Sequence, residues 1–181
     1  MKLTKRAVLL IVIQVLLVST IAGKFLYERK VCPRVWTRAA QVDPDSPLRG
    51  RYLILPLRVD ACGLPKGADN GKVGPVWGVA GGVQEYRSSD VVARDGRLIA
   101  VENKSPAGGD RLTVWTPKNT TCDRAILSPG TELYIPDTAK MPALKAGEEM
   151  WVEVTVPPKG PPRAIQLAVS GNGKFETIRF E

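Results

Sequence analysis

The sequence contains no histidine in its 181 residues. That absence removes the Ser-His-Asp and Cys-His nucleophile systems and every histidine-liganded metal site. Cysteine is scarce: Cys32, Cys62 and Cys122 are the only three, and no two form a Cys-x-x-Cys pair, so zinc knuckles and thioredoxin-type motifs are excluded as well. Acidic residues are outnumbered, 18 against 26 Lys/Arg, but the formal charge of +8 is unevenly spread. Residues 1–30 hold six of the basic residues and one acid, which leaves 20 against 17 for the rest. The basic character therefore belongs mainly to the N-terminus. No basic stripe interleaved with aromatics runs through the body, so nucleic acid is not an expected partner. No spacing implies a metal or a cofactor, and none is expected.

What is present at the N-terminus is an address. Lys2, Lys5 and Arg6 precede an uncharged run from Ala7 to Gly23, and Lys24 follows. At about 1.5 Å per residue such a run covers roughly 25 Å, the short end of what crosses a bilayer. Phe25 and Tyr27 stand where aromatic side chains favour the interface. A retained signal-anchor is the expectation, since basic residues follow the apolar run at once; Thr20-Ile21-Ala22 is the competing cleavage site. The layout expected is a cytoplasmic tail at 1–6, a transmembrane segment at 7–23 in the lipid bilayer, a stalk at 24–42 and an extracytoplasmic domain at 43–181. That places the chain in the inner (cytoplasmic) membrane, single-pass, with its N-terminus cytoplasmic and its body periplasmic.

Gly and Pro are plentiful, 17 and 15, which suits short strands and turns rather than helices. Asp90–Arg94 and Arg97–Glu102 flank Asp95-Gly96, the dipeptide of a two-residue type I′ hairpin. Arg111–Thr116 and Thr131–Ile135 alternate polar and apolar residues. So do Met150–Val156, Ala164–Val169 and Phe175–Phe180, with turns at Pro157–Gly160 and Gly171–Gly173. Period-2 alternation predicts an antiparallel meander with one buried and one wet face. Tyr52–Leu55 reads as a strand, and Pro56 as its end or as an edge position. Residues 63–82 hold seven Gly and two Pro and read as a long loop. Thr138–Glu149 offers the one helical turn of the body. The expected fold is mainly β, a small antiparallel barrel or sandwich behind a single transmembrane helix.

Cys62 and Cys122 lie at turn-like positions, and an oxidising compartment permits a bridge between them; two free thiols are the equal alternative. Cys32 follows Arg29-Lys30-Val31 and is not a lipoprotein cysteine. Between the anchor and the first of these cysteines lies Asp43-Pro44-Asp45-Ser46-Pro47-Leu48-Arg49-Gly50-Arg51-Tyr52-Leu53-Ile54-Leu55. This stretch resembles the signature of the GDYXXLXY proteins, bacterial proteins with an N-terminal membrane segment and a β-rich extracytoplasmic domain. Asp43, Pro44, Pro47, Leu48, Arg49, Gly50, Tyr52 and Leu55 carry the resemblance, which extends to Leu133–Pro136 and Met150–Val154. Arg51 stands where the family has Asp, and Leu57 where it has its last Tyr. The resemblance implies an interaction partner in the membrane rather than a reaction. In physical terms the two prolines stiffen a ramp into the strand, and Tyr52 and Leu55, an odd number of residues apart, point to opposite faces unless a bulge near Pro56 intervenes.

The expected function is a non-enzymatic interaction module for another envelope or membrane protein. The enzymatic alternative is a signal-peptidase-like Ser-Lys hydrolase with Ser46 as nucleophile and Lys104 as base; Lys104 sits amid Asn, Ser and Gly, which leaves it solvated and a weak base. A third reading is a small-ligand binder that uses the barrel mouth and Trp77, a tryptophan on a Gly-rich loop. Trp115 and Trp151, on alternating strands, read as core.

Overall fold

The structure, a computed structural model, describes residues 5–39, 52–65, 83–102, 112–117, 120–136, 139, 144–171 and 173–180. It divides into two compact units, Met1–Cys32 and Pro33–Glu181. The first is one helix, α1 (Lys5–Val31), with no buried residue. Its 27 residues are long and apolar enough to span a membrane. It extends beyond the 7–23 segment read from the sequence, since nothing before Pro33 breaks it. The hydroxyl of Thr20 donates to the Leu16 carbonyl at 2.7 Å, so this polar group is satisfied within the helix and suits an apolar medium.

The second unit is mainly β, as expected. Two antiparallel sheets build it. A four-stranded sheet has the order β1 (Arg34–Arg38), β7 (Glu149–Thr155), β8 (Arg163–Gly171), β9 (Lys174–Ile178). A five-stranded sheet has the order β2 (Tyr52–Val59), β6 (Ala125–Tyr134), β5 (Leu112–Pro117), β3 (Val83–Arg94), β4 (Arg97–Glu102). The five-stranded sheet curls until Asp60, at the end of β2, forms a parallel bridge with Ile99 of β4. One bridge does not close a barrel, and the architecture is sandwich-like. Alternation explains the packing: Val35 and Thr37 of β1, Leu53 and Leu55 of β2, and Met150, Val152 and Val154 of β7 turn inward to one shared core. A buried hydroxyl ties the sheets. Thr131 of β6 donates to the Pro162 carbonyl at 3.1 Å and accepts from the Ala164 amide at 3.2 Å.

The C-terminal meander β7–β8–β9 forms antiparallel, as expected, with a register shift between Glu153 and Val154. The Asp95-Gly96 turn is also as expected, with φ of 50° and 70° and Arg94 facing Arg97. Several expectations need correction. Residues 24–42 are not simply a stalk: β1 lies inside them and pairs with β7, so the domain takes up chain before the ramp. β3 begins at Val83, seven residues ahead of Asp90, directly after the Gly-rich segment. β6 begins at Ala125 rather than Thr131 and carries a cis Ser128–Pro129 peptide bond. The helical turn expected within 138–149 falls largely outside the described residues; at its described end the Glu148 amide closes a turn onto the Lys145 carbonyl. Finally, Pro56 does not end β2. The strand is an edge strand, as read, but it pairs with β6 on both sides of the proline.

Candidate functional site

The ramp residues Asp43, Pro44, Pro47, Leu48, Arg49 and Gly50 lie outside the described residues, as do Ser46, Lys104 and Trp77. Of the signature positions, Tyr52 and Leu55 are described. They do point to opposite faces: Leu55 is fully buried, while Tyr52 is half-buried and sits opposite Tyr134 across the strand pair, with ring centroids 6.1 Å apart. Cys62 and Cys122 form a disulfide, with Cα atoms 4.9 Å apart, and Cys32 is free. Among the described residues no cluster of His, Cys, Asp or Glu could hold a metal ion.

A concave site arises where two strands part. β1 and β2 run together at Ala39 and Leu57, joined by an antiparallel bridge. Beyond Leu57, β2 turns to β4: the Asp60 amide donates to the Leu98 carbonyl at 2.9 Å, and the Ala100 amide donates to the Asp60 carbonyl at 2.8 Å. β1 stays on β7. The wedge between them is a cleft of about 370 Å³. Trp36, Thr37 and Arg38 of β1 form one wall with Trp151 of β7; Arg58, Val59 and Asp60 of β2 form the next; Arg97 and Leu98 of β4, and Asp123 and Arg124 of the 3₁₀ turn Cys122–Arg124, complete it.

Each charged group is positioned by its local structure. The Thr37 hydroxyl donates to the Arg58 carbonyl and fixes the start of the wedge. Arg97 is the first residue after the type I′ turn. Arg124 is two residues past the disulfide, whose other half follows Asp60 by two residues. Asp60 Oδ1 accepts the Cys62 amide at 2.9 Å, and the Ala61 amide donates to the Cys122 carbonyl at 3.0 Å. The bridge therefore pins the β2 wall to the 3₁₀ turn. Arg38 is already engaged: its Nε lies 2.9 Å from Glu149 Oε2, and its guanidinium carbon lies 5.3 Å from the Trp151 ring centroid. The Asp123 carboxyl is held below its usual range, chiefly by a hydrogen bond from the Thr121 side chain, with Arg124 and Arg97 adding electrostatic support.

Trp151 is not the core residue expected from the sequence. It faces outward with Trp36, and Phe175 of β9 meets both rings edge-on, at 4.9 Å from Trp36 and 6.1 Å from Trp151. Phe175 is itself 50% exposed. Trp115 does belong to the core at 3% exposure. The indole Nε1 atoms of Trp115 and Trp151 are both buried without a partner among the described residues.

The cleft draws on chain positions from Trp36 to Trp151, so no contiguous motif announces it. The available signal was weak: an Arg-x-Trp-x-Arg alternation at Arg34–Arg38, and arginines placed at strand or turn ends. The chain matches no family model, no curated protein and no solved structure.

Proposed function

We propose that the chain is a membrane-anchored extracytoplasmic β domain that acts without catalysis, by binding another envelope or membrane protein. The observation that carries this reading is the aromatic cluster on the outer face of the four-stranded sheet. Phe175 is half exposed, yet it is held by two tryptophans. A half-exposed aromatic residue held by tryptophans, one of which carries the guanidinium of the Arg38–Glu149 pair, has the composition of an interface anchor. The likeness of Asp43–Leu55 to the GDYXXLXY proteins supports the same reading in outline. The apolar helix and the disulfide support the placement, because such bridges persist in oxidising compartments. In this reading the helix stays in the inner membrane, with the N-terminus in the cytoplasm and the body in the periplasm.

Two measurements test it. Cys32 is the free thiol and directly follows the helix. In intact spheroplasts a membrane-impermeant maleimide should label it without detergent; labelling only after lysis would reverse the orientation. A photo-crosslinking residue at position 175 should give one discrete adduct in native membranes, whereas the same group at the exposed turn residue Lys159 should not. Equal yields at both positions would count against an interface at the aromatic cluster.

A further inference from the structure

We infer that the cleft between β1 and β2 is a binding site for a compact organic oxyanion, a carboxylate or phosphate carried on a planar ring. This goes beyond the interaction reading and does not depend on it.

Hydrogen-bonding capacity and charge give the first argument. Arg58, Arg97 and Arg124 line the cleft, and among the described residues none of them has a carboxylate within ion-pair distance. Each guanidinium offers five N–H donors and no acceptor. The acceptors on the walls are fewer and partly committed. One Asp60 oxygen holds the Cys62 amide, and Asp123 is tied to Thr121 and to its own backbone. Glu149 neutralises Arg38, and Asp60 and Asp123 set against Arg58, Arg97 and Arg124 leave one positive charge in excess. The donor excess calls for an acceptor-rich, negatively charged guest. A guanidinium fork matches the paired oxygens of a carboxylate or phosphate.

Shape gives the second. A volume of about 370 Å³ lies at the small end of ligand sites, enough for one ring with its anionic group. Trp36 and Trp151 line the cleft and supply flat apolar surface to such a ring.

Preorganisation gives the third. The arginines sit on a strand end held by Thr37, on a type I′ hairpin and on a turn clamped by the disulfide. Their backbones do not have to be ordered on binding, which reduces the entropic cost.

The test titrates the full chain, in detergent micelles, with benzoate, phenyl phosphate, inorganic phosphate and benzyl alcohol, followed by tryptophan fluorescence and calorimetry. Saturable binding is expected for benzoate, phenyl phosphate or both, and it should weaken as salt is raised. Tighter benzoate binding assigns a carboxylate guest, and tighter phenyl phosphate binding assigns a phosphate guest. Inorganic phosphate and benzyl alcohol should each bind roughly tenfold more weakly or worse, since each lacks half of the recognition. The double variant Arg97→Gln/Arg124→Gln changes exposed side chains only and should melt like the parent while losing about tenfold or more in affinity. Arg58→Lys keeps the charge and loses the fork, and should also weaken binding. Failure of both aryl anions to saturate at millimolar concentration would overturn the proposal. So would unchanged affinity in a folded double variant, or equal binding of inorganic phosphate or benzyl alcohol.

Discussion

Reduction of the Cys62–Cys122 bridge lowers the melting temperature of the β domain by roughly 8–16 °C. That range follows from a stabilisation of about 4 kcal/mol for a covalent loop of this length, at about 2–4 °C per kcal/mol for a domain of this size. The two cysteines are 60 residues apart in sequence, so the unfolded chain gains considerable freedom when the bond is cut. The native state loses little else, because the Ala61–Cys122 backbone hydrogen bond and the buried Ala61 and Leu64 remain in place. The measurement is a near-ultraviolet circular dichroism melt of the full chain with and without reductant, repeated on Cys62→Ser/Cys122→Ser. A change within a degree or two would show that the bridge is absent in solution or closes no loop of consequence. Thiol labelling separates these cases: unfolded, unreduced protein should expose Cys32 alone. Because the bridge clamps the Arg124 turn to the β2 wall, reduction should also weaken anion binding in the cleft before it unfolds the domain.

The parts of the fold that were legible in the sequence are those governed by local rules. Asp95-Gly96 fixes a hairpin because two consecutive residues at positive φ are what a type I′ turn requires. The final meander was legible because alternation survives through three successive strands with short turns. β1 was harder to see. Five residues, Arg34–Arg38, give little periodicity, and their partner β7 lies more than a hundred positions away, so pairing rather than propensity makes the strand. Only half of β6 is legible, for a related reason. Ser128-Pro129-Gly130 looks like a turn that ends a strand, yet the chain resumes pairing with β2 on either side. Trp151 shows the limit most plainly. Alternation places Met150, Val152 and Val154 inside and therefore Trp151 outside, on a face that becomes special only because Trp36 and Phe175 arrive there from other strands. The cleft is legible in no segment, since it is made by the divergence of two strands whose directions are set by tertiary partners.

The substitution Gly130→Val should destabilise the domain strongly, while Gly63→Ala should be nearly silent. On β2 a single residue, Pro56, separates Leu55 from Leu57, whereas their partners on β6, Thr131 and Leu127, are separated by Ser128, Pro129 and Gly130. Pro56 has no amide hydrogen to give, so the ladder cannot continue regularly there, and β6 carries the extra residues opposite it. The irregularity brings Gly130 against the β2 backbone. A Cβ at that position would stand 2.8 Å from the Leu55 carbonyl oxygen and 3.0 Å from its carbon. Neither atom belongs to a flexible side chain, so β6 must move away from β2. Leu55 cannot yield easily, because it is fully buried and flanked by the buried Leu53 and Leu57. Overpacking of this kind costs about 1–3 kcal/mol, and the second branch of valine should place the effect at the upper end. At Gly63 a Cβ would meet nothing within 4 Å. Denaturant midpoints of the two variants, compared with the parent at equal slope, measure the difference. Similar small shifts for both would mean that β2 and β6 do not approach this closely in solution. A loss confined to Gly130→Val would establish the bulge as a built feature, one that sets the course of β2 toward Arg58 and the wall of the cleft.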